Sequence, residues 1–210
     1  WTGWIGAFRK DINDFFGRSV ETVTPGLLEK YGVPDDGTLN NYSIVTQQNA
    51  GKARVNGLEF GYRQSLTFLP SWARGVQVSF NATRLQLLGD RTADFTNFKS
   101  RVYAGGINLF RPRYSVKLSF THEGDTLTGA VAPSATVPAG TSTWEPGPTR
   151  VGLSGEYSLN SRFSVYFSLP DLKNFTWTQS RYAPGTPDYA RIARRIGYGY
   201  YSTVGIKGKF

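Results

Sequence analysis

The chain has 210 residues and a net charge of +9, from 24 Lys and Arg against 15 Asp and Glu. It has no cysteine, which excludes disulfides and thiolate chemistry, and no apolar run approaches the ~20 residues of a transmembrane helix. The basic residues are scattered singly, apart from Arg194 and Arg195, so no nucleic-acid partner is expected. Aromatic residues (15%) and 24 glycines favour β structure.

Two-residue alternation of apolar and polar side chains is the strongest pattern in the chain. In residues 114–121, YSVKLSFT, every even position is aromatic or aliphatic and every odd position is polar. Similar alternation marks residues 57–68, 76–83, 151–159, 163–169 and 200–210. In chain order it predicts eight strands, at residues 1–16, 42–69, 73–89, 98–110, 114–128, 148–159, 163–170 and 197–210.

The predicted connections fall into two alternating classes. Short turns rich in Pro, Asn, Ser and Arg occupy residues 69–74, 110–114 and 159–163, and long loops occupy residues 17–41, 89–98, 128–148 and 170–196. Every short turn then lies at one end of the strands and every long loop at the other. This arrangement is typical of an outer-membrane barrel, whereas a soluble sandwich gives its two ends no reason to differ. The sequence therefore predicts an all-β fold, an antiparallel transmembrane β-barrel segment of about eight meander strands.

Two of the long loops have further signals. Thr24 as N-cap, Pro25 at the first helical position and Gly32 as a stop predict one or two turns of helix. Residues 129–148 are rich in Gly, Pro, Ser and Thr, which predicts a mobile loop.

Residues 49–70, NAGKARVNGLEFGYRQSLTFLP, resemble a late strand of TonB-dependent receptor barrels. In that family an Asn-Ala-Gly start leads into Gly-hydrophobic-Glu-hydrophobic, here residues 57–60. Residues 6–17 and 24–33 look like the preceding strand and a loop helix of some members. Residues 196–210 resemble the strand that closes the barrel. The resemblance covers essentially the whole chain.

The resemblance implies a 22-stranded barrel filled by an N-terminal plug, in the bacterial outer membrane. Nothing in the chain resembles the plug or the TonB-contacting segment, so residues 1–210 are identified as the C-terminal portion of such a barrel. The implied function is uptake of a scarce, large nutrient such as a siderophore, cobalamin or glycan. The implied partners are the plug, TonB, outer-membrane lipid and lipopolysaccharide, an unknown imported ligand, and the barrel-assembly machinery. That machinery would read Val204, Ile206 and Phe210.

Strand parity and loop position provide the candidate site residues. The predicted lumen-facing set is Glu59, Arg63, Arg101, Lys117, Glu156, Lys207 and Lys209. The predicted ligand-binding aromatics of the long loops are Trp144, Trp177, Tyr182 and Tyr189. The alternative for the charges is that they only pair with one another, and for the aromatics that they form an interfacial girdle or pack within the loops.

Two other functional classes stay open at this point. A complete eight-stranded barrel with an adhesion or anchoring role is the structural rival, although neither face of residues 1–12 is cleanly apolar. A barrel hydrolase is suggested by HEGD at 122–125, but parity places His122 on the lipid side with Phe120. We therefore expect no catalytic residue, no cofactor and no metal site. Because the chain opens on Trp1 without a signal sequence, we expect a mature chain or an internal fragment.

Overall fold

The computed structural model describes residues 1–14, 16–40, 42–49, 52–89, 96–131 and 136–209. Its regular structure is almost entirely β, as predicted. In chain order the strands are β1 Thr2–Ile12, β2 Phe16–Thr22, β3 Ser43–Asn49, β4 Ala53–Ser65, β5 Val76–Gly89, β6 Arg101–Phe110, β7 Tyr114–Glu123, β8 Thr126–Ala130, β9 Ser142–Glu145, β10 Thr149–Ser158, β11 Phe163–Leu169, β12 Thr176–Tyr182, β13 Ile192–Gly197 and β14 Thr203–Gly208. Short 3-10 helices occupy Glu29–Tyr31, Ser71–Ala73 and Asp188–Ala190.

Across the described ranges, no helix has the length and apolar character needed to cross a lipid bilayer.

Three sheets contain these strands. The largest has eight strands in the order β1-β4-β5-β6-β7-β10-β11-β14, and its members correspond to the eight predicted strands. A four-stranded sheet has the order β13-β12-β9-β8, and β2 pairs with β3 alone. The registered pairs are antiparallel in all three.

The two classes of connection are confirmed along the eight-stranded sheet. Short connections join β4 to β5, β6 to β7 and β10 to β11, whereas long ones join β1 to β4, β5 to β6, β7 to β10 and β11 to β14. The four-stranded sheet is built entirely from two of the long connections. The long connections predicted at 128–148 and 170–196 are confirmed, but they contain strands that the sequence did not predict. The mobility predicted for 129–148 stays a prediction.

Several predicted element bounds were also wrong. The predicted strand 42–69 is divided into β3 and β4, and the first strand ends at Ile12. The predicted loop 17–41 begins within β2. The last strand is shorter than predicted, because β14 covers only Thr203–Gly208.

The predicted loop helix is reduced to a turn and one 3-10 turn. Thr24 is not an N-cap, because Gly26 has a φ of 82°, which a right-handed helix excludes. The 3-10 helix instead starts after Leu28 without a side-chain cap. The predicted stop is confirmed, since Gly32 adopts the left-handed conformation with φ 71°.

The chain divides into two compact units, residues 1–8, 56–86 and 96–210 in the first and residues 9–55 and 87–95 in the second. In the second unit two neighbouring aspartates organise the loop after β2. Asp35 accepts hydrogen bonds from the backbone N–H groups of Gly26 (2.6 Å) and Gly37 (3.2 Å). The hydroxyl and the backbone N–H of Thr38 both donate to Asp36, and they hold the pKa of that carboxyl below its usual value.

The described residues do not form a conventional hydrophobic core. None of their large side chains is fully buried, and the buried apolar residues are few and mostly small: Val23, Leu28, Ala53, Ala73 and Ala183. Large apolar side chains of the central strands are instead exposed, such as Ile107 at 48% and Leu118 at 42%. A soluble domain buries such residues, so a face of this kind requires an apolar environment outside the protein.

Candidate functional site

Five neighbouring strands of the eight-stranded sheet, β5, β6, β7, β10 and β11, share one apolar face, which we call the apolar band. Strand pairing aligns its side chains in rows across the sheet. One row consists of Val78, Ile107, Leu118, Leu153 and Leu169. The next row towards the long loops consists of Phe80, Gly105, Phe120 and Val151.

Aromatic residues border the apolar band at both ends. Tyr114 pairs with Tyr157 beside the short turns, and Tyr103 pairs with His122 beside the long loops. On β7 the two borders are eight residues apart (Tyr114 to His122), or about 27 Å along the strand. This span is close to the ~25 Å apolar height of outer-membrane barrels, which also have aromatic girdles at both interfaces.

His122 lies on the face of Phe120, as parity predicted. Its ring stacks on Tyr103 at 5.9 Å between centroids with an interplanar angle of 10°. Its Nδ1 is 2.8 Å from the hydroxyl oxygen of Thr149. In the structurally described ranges no group of three or more His, Cys, Asp or Glu side chains is arranged to hold a metal ion.

The opposite face of the sheet is polar and has a shallow depression of about 470 Å³ near the short turns. Four of the predicted lumen-facing residues line it: Arg63, Lys117, Glu156 and Lys207. Lys207 Nζ lies 2.5 Å from a Glu156 oxygen, and the Ser164 hydroxyl donates to the other oxygen at 2.7 Å. Arg63 donates to the side chain of Gln77, and Lys117 has no ion-pair partner among the described residues. The charges therefore pair with one another only in part.

The other predicted lumen residues lie elsewhere. Glu59 is half-buried on β4, on the same strand face as Gly57 and Gly61. The Phe8 ring covers the Cα atom of Gly57, and the Trp4 ring covers that of Gly61. Lys209 follows the end of β14, where its backbone N–H donates to Arg162.

Arg101 does not share the face of Lys117, so its assignment to the polar face was wrong. The register pairs Ile107 with Leu118 and Tyr103 with His122, which places the odd positions of β6 on the apolar face. Arg101 is directly opposite Arg84 of β5.

The four-stranded sheet brings two of the predicted loop aromatics together. Trp144 and Tyr182 stack at 6.2 Å between centroids, and the Arg191 guanidinium lies 4.8 Å from the Tyr182 ring. Arg191 also pairs with Asp188 at 2.7 Å. We call Trp144, Tyr182 and Arg191 the loop cluster.

The other two predicted loop aromatics are not part of this cluster. The Trp177 indole N–H donates to Glu145 at 3.2 Å, and Tyr189 is 88% exposed. Sequence reasoning missed Arg191, because its place over Tyr182 depends on the pairing of β12 with β13 inside a segment predicted to be a loop.

The proposed assembly signal is described only in part. Val204 and Ile206 project from β14 on the face of Phe167 and Val165, and both are more than two-thirds exposed. Phe210 lies outside the described residues.

A two-faced antiparallel meander with an apolar band, aromatic borders and unequal ends defines the wall of an outer-membrane β-barrel. The family model "TonB dependent receptor-like, beta-barrel" matches residues 1–169, and the chain belongs to this family. Proteins of this family are transport receptors of the bacterial outer membrane. No curated protein and no solved structure matches the chain significantly.

Proposed function

We propose that residues 1–210 form the C-terminal wall of a TonB-dependent receptor that imports a scarce, large nutrient such as a siderophore, cobalamin or glycan. The observation that carries this proposal is the exposed apolar band together with long loops that fold into a sheet of their own at one end. The sheet order begins with β1 and ends with β14, which are not neighbours in it. This supports a wall that is continued by other strands, rather than a complete eight-stranded barrel.

In this proposal the polar face lines the lumen and packs against the plug, while the loop cluster contacts the imported ligand. TonB engages another part of the receptor, and the barrel-assembly machinery reads Val204, Ile206 and Phe210. Lipid and lipopolysaccharide surround the apolar band. The family's transport role supports a receptor rather than an enzyme.

Uptake measurements test the proposed function. Cells that express the full-length receptor are offered ferric siderophores, cobalamin and oligosaccharides in turn, with and without TonB. We expect TonB-dependent uptake of one class, reduced about thirtyfold by Trp144→Ala or Tyr182→Ala, because aromatic anchors that a ligand buries contribute about 2 kcal/mol or more to binding. Trp72→Ala is the matched control, since Trp72 is 79% exposed beside the short turns. Uptake that is independent of TonB would refute the proposal.

Cysteine labelling tests the proposed orientation, with long loops outside the cell. The chain has no cysteine, so each introduced thiol within it is unique. We expect Ala139→Cys, in the β8–β9 connection, to react with an impermeant maleimide on intact cells. Ser161→Cys, in the β10–β11 turn, should react only after the outer membrane is permeabilised. Equal labelling of both positions on intact cells would invalidate the orientation.

A further inference from the structure

Two exposed arginines face each other at the loop end of the apolar band. Arg84 of β5 and Arg101 of β6 are directly paired in the register. Neither guanidinium has an acidic partner among the described residues. Like charges directly opposite each other destabilise a sheet, and an anion bound by both side chains would remove that cost.

Nearby cations do not belong to this pair. Arg150 is on the other face of the sheet, because it pairs with Thr121, and it lies over the Phe175 ring at 6.0 Å. Lys99 forms an ion pair with Glu123, whose position on β7 is also on the polar face. The stem of Arg101 packs over Gly124, which has no side chain to displace it.

The rows beneath the two arginines follow a definite order along the strands. The apolar row of Phe80 and Phe120 comes first, and the row of Tyr103 and His122 follows it. The arginine pair comes next, four residues beyond Phe80 on β5, or about 13 Å along the strand. The protein surface thus changes along the strands from apolar side chains to interfacial aromatics and then to cations. A leaflet of phosphorylated lipid changes in the same order, from acyl chains to the interface and then to phosphate.

We propose that Arg84 and Arg101 together bind a phosphate group of the phosphorylated glycolipid of the outer leaflet, whose acyl chains lie along the apolar band. Each guanidinium offers a planar fork of donors that suits phosphate oxygens. One phosphate between the two forks neutralises their mutual repulsion. The proposal rests on the orientation proposed above, but its binding test does not depend on transport.

The test titrates the full-length receptor, freed of lipid in detergent, with diphosphorylated lipid A and counts bound lipid by native mass spectrometry. We expect Arg84→Gln/Arg101→Gln to bind about tenfold more weakly than wild type. The control Arg113→Gln/Arg162→Gln removes two charges from the short turns and should bind as wild type does. Arg84→Lys/Arg101→Lys keeps the charges without the forks and should give an intermediate affinity.

Lipid-free stability provides a second, independent readout. Without lipid, Arg84→Gln/Arg101→Gln should be at least as stable as wild type, because it removes a like-charge pair. Addition of lipid A should then stabilise wild type more than this variant, because the variant binds the lipid more weakly.

Three outcomes would overturn the proposal. Equal lipid A affinity of wild type and Arg84→Gln/Arg101→Gln would show that the two arginines do not bind the lipid. Equal affinity of wild type for diphosphorylated and dephosphorylated lipid A would show that the phosphate is not the group recognised. Complete displacement of lipid A by millimolar inorganic phosphate would mean a site for free anions. A failed orientation would be recognised separately, from the labelling of Ala139→Cys.

Discussion

Replacing Leu118 by arginine is expected to destabilise the membrane-inserted protein by about 2–4 kcal/mol, the cost of a cation near the bilayer midplane on the lipid face of a barrel. Leu118 lies in the middle row of the apolar band, between Ile107 and Leu153 of the neighbouring strands. Its side chain is 42% exposed although it is apolar. Denaturant titration of the full-length protein folded into lipid vesicles measures the effect.

Ser119→Arg is the matched control, because Ser119 is the next residue of β7 and projects from the polar face. Its hydroxyl donates to the Gly152 carbonyl at 3.3 Å, so its replacement costs about 1 kcal/mol. If Ser119→Arg destabilised the protein as much as Leu118→Arg, the two faces would not differ in environment, and the apolar band would not face lipid.

Replacing Gly75 by alanine is expected to destabilise the protein by about 2–5 kcal/mol, by two separate effects. Gly75 has a φ of 87°, which costs an L-residue about 1–2 kcal/mol. A Cβ at this position would also overlap the carbonyl oxygen of Phe110 at the end of β6, and relieving such an overlap costs about 1–3 kcal/mol. The Gly75 carbonyl accepts a hydrogen bond from the Phe110 N–H at 3.0 Å, so the strand end cannot simply move away.

Gly185→Ala separates the two effects. Gly185 has the same φ of 87°, but nothing lies within 4 Å of a Cβ built there. We expect this variant to lose only the conformational part, about 1–2 kcal/mol. Equal losses in Gly75→Ala and Gly185→Ala would show that the contact with Phe110 has no effect on stability.

The eight strands of the large sheet could be predicted because each faces two environments. Residues 114–121 alternate without exception, and the register confirms that Val116, Leu118 and Phe120 share one face. The short turns could be predicted from the same alternation, since strands on either side of a tight turn must be neighbours.

The loop sheet could not be predicted, because its strands lack that alternation. Residues 176–182, TWTQSRY, are polar or aromatic on both faces. Their partner β9 is about 35 residues earlier, with Trp144 opposite Ser180, so no local pattern fixes the pairing. The loop cluster depends on this long-range register. The sequence therefore indicated Trp144 and Tyr182 as candidate ligand-binding residues but not that their rings stack on each other.

The error at Arg101 has a related physical cause. Parity follows from the apolar positions of a strand, and β6 has glycines at 105 and 106 in its centre, where both faces lack a side chain. Only the pairing with β7 fixes which face is which. The separate pairing of β6 with β5 places Arg101 opposite Arg84, which neither strand indicates alone.

We propose above that residues 1–210 are the C-terminal wall of a larger, plugged receptor. The coding sequence upstream of the Trp1 codon tests this most directly. We expect it to encode a plug domain and about fourteen further alternating strands, as a plugged 22-stranded transporter requires. A start codon and a signal peptide directly before Trp1 would contradict the claim, because the chain would then be a small complete barrel without a plug.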